Sequence, residues 1–229
     1  MKEGYTHISI ILDKSGSMQS CLSDTIGGFN SFINNQREEE GEATVTLAQF
    51  NGSYDLTVDM QPLGEAPELC RQSYCPCGST ALLDAIGTTV NNVESNINDM
   101  DEDEQPEKVI FVIITDGEEN VSREFNHENI MEMINRHREE DQWEFIFIGA
   151  NQDAIQSGGG MGIRAGATLN YNQTAQGTRC MYMSLDSGMT NYRSKCVSDT
   201  VDADFFATSD GITETKDTEE IEGTRKTSK

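Results

Sequence analysis

The sequence predicts a doubly wound α/β fold, in which a mostly parallel central sheet has one antiparallel edge strand and helices on both faces. Short, almost continuously apolar segments alternate along the chain with amphipathic segments of helical period. A parallel strand covered on both faces has such a continuous apolar sequence, because neither of its faces meets water. The pair Asn51-Gly52 between two strand-like segments indicates a hairpin, which would supply the antiparallel edge.

The strands of this sheet are predicted from apolar and β-branched runs. Three runs predict buried strands, at residues 7–12, 108–115 and 143–148. The hairpin joins predicted strands at 43–50 and 55–60, and a short last strand is predicted at 167–171. Right-handed crossovers would place the carboxyl ends of the parallel strands along one edge, where ligands bind in such folds.

The helices are predicted from apolar residues that recur at helical spacing. Leu82, Ile86, Val90 and Val93 give the strongest pattern, on one face of a helix at 81–97. Weaker patterns predict helices at 22–35, 128–138, 153–161 and 174–192. We therefore expect one domain over residues 1–196, followed at 197–229 by an acidic, Ser/Thr-rich tail of disordered composition.

Acidic residues far outnumber basic ones, with 40 Asp and Glu against 16 Lys and Arg and a net charge of −24. Nucleic-acid-binding proteins present a basic face, so we expect no binding to DNA or RNA. Anionic membrane surfaces are disfavoured for the same reason. The charge fits a self-repelling soluble protein, and it also fits a protein that binds cations.

Location is predicted from apolar runs and cysteine content. No apolar run approaches the roughly 18–20 residues of a membrane span, and the first apolar stretch is too short for a signal-peptide core. Six cysteines in a chain of 229 residues do not make a disulfide scaffold; in a reducing compartment they would be free thiols. We therefore expect a cytoplasmic protein, and the sequence leaves its oligomeric state open.

Oxygen-bearing side chains follow two of the predicted buried strands and precede one helix. Asp13, Ser15 and Ser17 follow the first strand, Asp116 follows the strand at 108–115, and Thr80 stands at a Gly-Ser-Thr helix start. Alternate residues of an extended loop point the same way, so the first three side chains can converge on one point.

An all-oxygen set of this kind suits a hard cation such as Mg²⁺, whereas Zn²⁺ prefers nitrogen and sulfur ligands. The same alternation predicts that Lys14 points away from the ion. Ser79 is predicted to be the N-cap of the following helix, which would place Thr80 at the positive end of that helix.

Together these segments resemble the von Willebrand factor A domain. The resemblance covers about residues 5–195 and implies that family's Rossmann-like, doubly wound sheet. It also implies a complete metal-ion-dependent adhesion site, formed by Asp13, Ser15, Ser17, Thr80 and Asp116. The segment FIGANQDA at 147–154 resembles short stand-alone bacterial and phage members of the family.

The resemblance implies a function without catalysis, namely divalent-cation-dependent protein binding. Mg²⁺, with Mn²⁺ or Ca²⁺ as alternatives, would be held by the serines and Thr80 and partly through water by the two aspartates. A Glu or Asp side chain of a partner protein would fill the open coordination position of the ion.

Two other functions stay open at this point. The fold could be the docking platform of a structural or assembly subunit. A DxSxS loop with a distant Asp also has a superficial likeness to phosphatase loops, which suggests an Mg²⁺-dependent phosphoester hydrolase. That chemistry expects an Asp where Ser15 stands and a positioned Lys, so the binding module is the preferred interpretation.

Three further motifs receive structural interpretations. Cys70, Cys75 and Cys77 could bind zinc or form a redox pair, but no fourth ligand is evident and they are interpreted as free thiols. The glycine-rich segment at 158–162 lacks the features of a phosphate-binding loop and is interpreted as a helix end. His127 and His137 are interpreted as surface residues.

Overall fold

The computed structural model describes residues 1–150, 154–197 and 204–206. Within them, six strands form one sheet in the order β3-β2-β1-β4-β5-β6. All neighbouring pairs are parallel except β2 and β3, which are antiparallel. The strands are β1 (Lys2–Asp13), β2 (Ala43–Phe50), β3 (Tyr54–Pro62), β4 (Pro106–Thr115), β5 (Glu144–Ala150) and β6 (Thr168–Tyr171).

In the described part of the chain, five α-helices surround the sheet. They are α1 (Leu22–Glu38), α2 (Leu82–Asn98), α3 (His127–Glu140), α4 (Ala154–Gly160) and α5 (Ala175–Ser194). Every residue of β5 and nearly every residue of β4 is buried, so helices cover both faces of the central strands. None of the helices in the described part of the chain has the length and apolar character that crossing a lipid bilayer requires.

The predicted fold class is confirmed, since the sheet is mostly parallel with one antiparallel edge. The predicted elements are present with shifted ends; the largest shift is at β1, predicted from residue 7 and observed from Lys2. Helix α4 ends at Gly160, as the glycine-rich segment predicts. Residues 151–153 and most of the predicted tail lie outside the described residues, so the domain boundary after residue 196 stays a prediction.

The order of the strands reverses between β1 and β4. From β1 the sheet continues through β2 on one side and through β4 on the other. The register pairs Leu12 with Ile114, so both strands end at the same level. Reversal of strand order opens a crevice at the carboxyl ends of the strands, and here it lies directly beyond Asp13 and Thr115.

Helices α1 and α5 pack closely because α1 has a glycine at the contact. A Cβ atom placed on Gly28 would lie 2.1 Å from Cδ2 of Tyr182. At the preceding position, Gly27, the same Cβ would have no neighbour within 4 Å. The ring of Tyr182 therefore occupies the space that a side chain at residue 28 would need.

The last turn of α5 is anchored to the sheet by a buried lysine. Lys108 on β4 donates through Nζ to the backbone carbonyl oxygens of Tyr192 at 3.1 Å and Arg193 at 2.9 Å, and to that of Lys195. A cation is favourable at a helix C-terminus, where carbonyl groups lack helical partners. Beyond this helix, Phe205 is buried with its ring centroid 6.5 Å from that of Tyr192.

Two of the three histidines are buried, and the surface interpretation of His137 is wrong. Its ring stacks on Trp143, with ring centroids 4.1 Å apart, and its Nδ1 lies 2.7 Å from Asp141 Oδ2. The last turn of α3 turns this side chain inward. His7 on β1 is also fully buried, with Nδ1 2.9 Å from Thr44 Oγ1 and no hydrogen-bond partner for Nε2 among the described residues.

A methyl group at residue 28 should destabilise the protein, whereas one at residue 27 should not. Gly28→Ala forces Tyr182 from its position, and overpacking of this kind costs about 1–3 kcal/mol in the free energy of unfolding. Gly27→Ala meets no atom and should stabilise α1 by roughly 0.5–1 kcal/mol. Urea unfolding of both variants measures the difference; equal stabilities would contradict the α1–α5 packing.

Burial of His7 should make the protein less stable in mild acid. Desolvation lowers the pKa of His7 from 6.5 to about 3, so between these values the unfolded chain binds a proton that the folded chain does not. Stability then falls by about 1.4 kcal/mol per pH unit below 6.5. From pH 7 to pH 5 this contribution is about 2 kcal/mol.

Urea unfolding at both pH values should show that, from pH 7 to pH 5, the free energy of unfolding of the wild type falls relative to that of His7→Gln by about 2 kcal/mol. His127→Gln is the matched control, because His127 is exposed. All other acid-sensitive groups are common to the three proteins. A pH dependence in His7→Gln that equals that of the wild type would refute the assignment.

Candidate metal centre

The loop after β1 folds back on its own aspartate. Asp13 is fully buried at the end of the strand, and its Oδ1 accepts a hydrogen bond of 2.6 Å from the backbone N–H of Ser15. The hydroxyl groups of Ser15 and Ser17 lie 3.0 Å apart. As the alternation predicts, Lys14 points away, and its Nζ lies 3.0 Å from Asp55 Oδ2.

The end of β4 joins this loop through side chains. Thr115 donates from its hydroxyl to Asp13 Oδ2 at 2.6 Å. Ser17 donates from its hydroxyl to Asp116 Oδ1 at 2.5 Å. Asp13 and Asp116 therefore belong to one hydrogen-bonded cluster, although 103 positions separate them in the numbering of the chain.

Thr80 approaches the same cluster from the segment before α2. A Cβ atom placed on Gly117 would lie 2.9 Å from Thr80 Oγ1 and 3.6 Å from Asp13 Oδ2. The hydroxyl and the carboxylate therefore border the same small space, which a side chain at residue 117 would fill. The backbone of Thr80 is held by Asn120, which accepts from its N–H at 3.1 Å through Oδ1.

Ser79 does not cap α2, so that prediction is wrong. The N-cap is Ala81, which makes no side-chain capping bond. Glu119 takes over this role, since its Oε2 accepts from the backbone N–H of Leu83 at 3.0 Å. The cap thus comes from the loop after Asp116, and it ties that loop to the helix that follows Thr80.

Burial raises the pKa values of both carboxyl groups at the cluster. For Asp13 desolvation is the main cause, opposed by the hydrogen bonds from Thr115 and Ser15. For Asp116 desolvation raises the pKa to about 6, opposed by the Ser17 hydroxyl and supported by the negative charge of Asp13. Two neighbouring carboxylates in a poorly hydrated place favour any bound cation that offsets their charge.

The five predicted residues come together in the fold, and their chemistry suits a hard cation. They offer two carboxylates and three hydroxyl groups, and Mg²⁺, Mn²⁺ and Ca²⁺ prefer such oxygen ligands. In the described residues no group of three or more His, Cys, Asp or Glu side chains could hold a metal ion. A cation at this edge would therefore depend on the hydroxyl groups of Ser15, Ser17 and Thr80.

Sequence reasoning missed two polar residues at the cluster. Tyr74 donates from its hydroxyl to the backbone oxygen of Asp13 at 2.6 Å. Gln173, from the loop between β6 and α5, donates through Nε2 to the backbone oxygen of Ser17 at 3.0 Å and to Asp116 Oδ2. Neither residue belongs to a short motif, so no local pattern could have indicated them.

The cysteine-rich segment lies beside the loop after β1. The backbone N–H of Cys77 donates to the carbonyl oxygen of Lys14 at 2.8 Å. Cys75 donates through its thiol to the carbonyl oxygen of Arg71 at 3.0 Å, and Cys70 Sγ lies 3.5 Å from Ser73 Oγ. These thiols contact backbone and hydroxyl oxygens of their own segment, and the Cys77 bond joins that segment to the loop after β1.

Comparison by sequence gives no relative for this chain. No protein-family model matches it, and a search of curated proteins finds no match.

Comparison by structure finds proteins of one fold. Proximal thread matrix protein 1 from the mussel byssus matches with a TM-score of 0.57 and 11% identity, over 83% of this chain and 46% of its own. Manganese-loaded TRAP protein of Plasmodium vivax matches with a TM-score of 0.53 and 15% identity, over 76% of this chain and 70% of its own.

A third match is the vWF domain of Mfa5, the type V pili tip protein of Porphyromonas gingivalis. It has a TM-score of 0.56 and 9% identity, over 80% of this chain and 95% of that domain. This chain thus spans less than half of the mussel protein but nearly all of the isolated Mfa5 domain. The likeness concerns the arrangement of the sheet and its helices: this chain has the von Willebrand factor A fold.

Proposed function

We propose that the protein is a divalent-cation-dependent protein-binding module, with Mg²⁺ at the cluster as its cofactor. The observation that supports this most directly is the convergence of three distant segments: the loops after β1 and β4 are joined by side-chain hydrogen bonds, and the Thr80 hydroxyl borders the same space. Asp13 and Asp116 supply the negative charge, and Ser15, Ser17 and Thr80 supply neutral ligands. Among the described residues the cluster has two carboxylates, which no more than balance the charge of a divalent ion, so the ion can attract a further anionic oxygen.

The metals bound by two structural neighbours support the same proposal. The mussel protein has been described with zinc in its MIDAS motif, the metal-ion-dependent adhesion site. The Plasmodium protein is manganese-loaded. The Mfa5 match is a pilus tip protein, and another is the pilus adhesin SpaC of Lactobacillus rhamnosus GG. By analogy, we propose that a Glu or Asp side chain of a partner protein completes the coordination of the ion in this chain.

The surroundings of the cluster favour binding over hydrolysis. Phosphoester hydrolysis of the kind considered above needs a second acid at residue 15 and a nearby lysine. Residue 15 is a serine, and Lys14 is paired with Asp55 on the other side of the loop. The cytoplasmic location expected from the sequence and the absence of nucleic-acid and membrane partners remain predictions.

Removing one carboxylate should weaken Mg²⁺ binding. Asp13→Asn keeps the size of the buried side chain but removes its charge, so we expect at least a tenfold loss in affinity, equivalent to about 1.4 kcal/mol. Asp55→Asn is the matched control, because it removes the same charge from an exposed residue nearby. Isothermal titration calorimetry with MgCl₂ measures both variants, and equal affinities would exclude Asp13 as a ligand.

Partner binding should require both the ion and a carboxylate. On arrays of paired peptides that differ only by Glu→Gln or Asp→Asn, we expect the protein to retain acidic peptides with Mg²⁺ and to release them with EDTA. The amide peptides should bind at least about tenfold more weakly, because an amide offers no anionic oxygen to the ion. The Asp13→Asn protein is the control. Metal-independent retention, or equal retention of both peptides in a pair, would contradict the proposal.

A further inference from the structure

Gln173 contacts the oxygen cluster, although it is not among the site residues predicted from the sequence. It lies between β6, which ends at Tyr171, and Thr174, the N-cap of α5. Its side chain is partly buried and reaches across to the loops after β1 and β4. A residue from a fourth segment of the chain therefore contacts the oxygen cluster.

The amide of Gln173 takes up the remaining oxygen of Asp116. Oδ1 of this carboxylate accepts from the Ser17 hydroxyl, and Oδ2 accepts from Gln173 Nε2. The same Nε2 donates to the backbone oxygen of Ser17. One amide group, with two hydrogens, thus binds both the carboxylate and the loop that carries the serines.

An N–H donor beside a carboxylate offsets part of its charge, which is also what a bound cation does. We propose that Gln173 is an internal occupant of the cation site, which competes with the ion for Asp116 and is released when the ion binds. The proposal rests on the proposed function and adds one residue to the site. In this role Gln173 is a positioning residue: it lowers the affinity of the site for the cation, and its side chain changes its contacts when the cation binds.

The position of Gln173 gives its release a structural consequence. The next residue, Thr174, caps α5 by accepting from the backbone N–H of Gly177 at 3.0 Å through its hydroxyl. A change in the side chain of Gln173 therefore begins one residue from the start of a long helix.

The first measurement compares Mg²⁺ affinities by isothermal titration calorimetry. Gln173→Ala removes the competitor, so we expect affinity to rise about three- to tenfold, the range for the net loss of one typical hydrogen bond. Gln176→Ala is the matched control, since it makes the same change at an exposed residue in the first turn of α5. Circular dichroism confirms that both variants fold.

The second measurement follows the side-chain amide directly. In ¹H–¹⁵N spectra of the wild type, the Gln173 side-chain signals, assigned by their loss in Gln173→Ala, should shift with MgCl₂ along the same saturation curve as the calorimetry. The side-chain signals of Gln176 should move little. If Mg²⁺ acted only through a general effect of its charge, the side-chain signals of Gln173 and Gln176 would shift equally.

The outcomes separate the two proposals. If the wild type binds Mg²⁺ and Asp13→Asn does not, while Gln173→Ala binds as the wild type does and the amide signals stay fixed, the role of Gln173 is overturned and the cation site stands. If the wild type binds no Mg²⁺, the proposed function fails, and the role of Gln173 fails with it. Tighter binding by Gln173→Ala together with moving amide signals supports the inference.

Discussion

Two carboxylates held side by side at the reversal point of the sheet are the constraint on which this site depends. Asp13 is the last residue of β1 and Asp116 directly follows β4, and both strands are buried along most of their length. Asp13 is buried and Asp116 is half-buried, so water alone does not solvate their charges. The loops around them must therefore supply compensating donors, and they do so through hydroxyl, amide and backbone N–H groups.

The compensating groups also fix the loops to one another. The backbone N–H of Gly16 donates to the carbonyl oxygen of Gly78 at 3.1 Å, which joins the serine loop to the segment of Thr80. Asn120 joins that segment to the loop after β4 by accepting from the Thr80 N–H and donating to its carbonyl oxygen, each at 3.1 Å. None of these links uses a cationic side chain, so the loops are joined without placing a competing cation beside the carboxylates. The one lysine of the serine loop, Lys14, is paired with Asp55 instead.

The sheet and the five oxygen-bearing residues could be predicted from the sequence because their signals are local. A buried strand shows itself as an apolar run such as residues 108–115, and residues that follow strands fall at one edge by topology alone. The capping of α2 by Glu119 and the contact of Gln173 with Asp116 could not be predicted. Both depend on which side chain of a distant loop lies within hydrogen-bond distance of an unsatisfied group, and tertiary packing determines this.

The inward turn of His137 was missed for a related reason. Its helix, α3, is polar along most of its sequence, so the composition around residue 137 indicates an exposed face. Residue 137 nevertheless continues the spacing of Ile130 and Ile134, the buried apolar residues of this helix, and so lies on its inward face. Trp143, the only tryptophan of the chain, stands just before β5 and provides the ring on which the imidazole stacks.

The buried Lys108 has a mechanical consequence for α5. Its amino group donates hydrogen bonds to three carbonyl oxygens at the end of the helix. Arg193 also donates a hydrogen bond of 2.6 Å to the carbonyl oxygen of Gln36 on α1. Sliding the helix along its axis would break all of these bonds together. The axial position of α5 is therefore fixed from both the sheet and α1, by contacts that lie within a few residues of one another at the end of the helix.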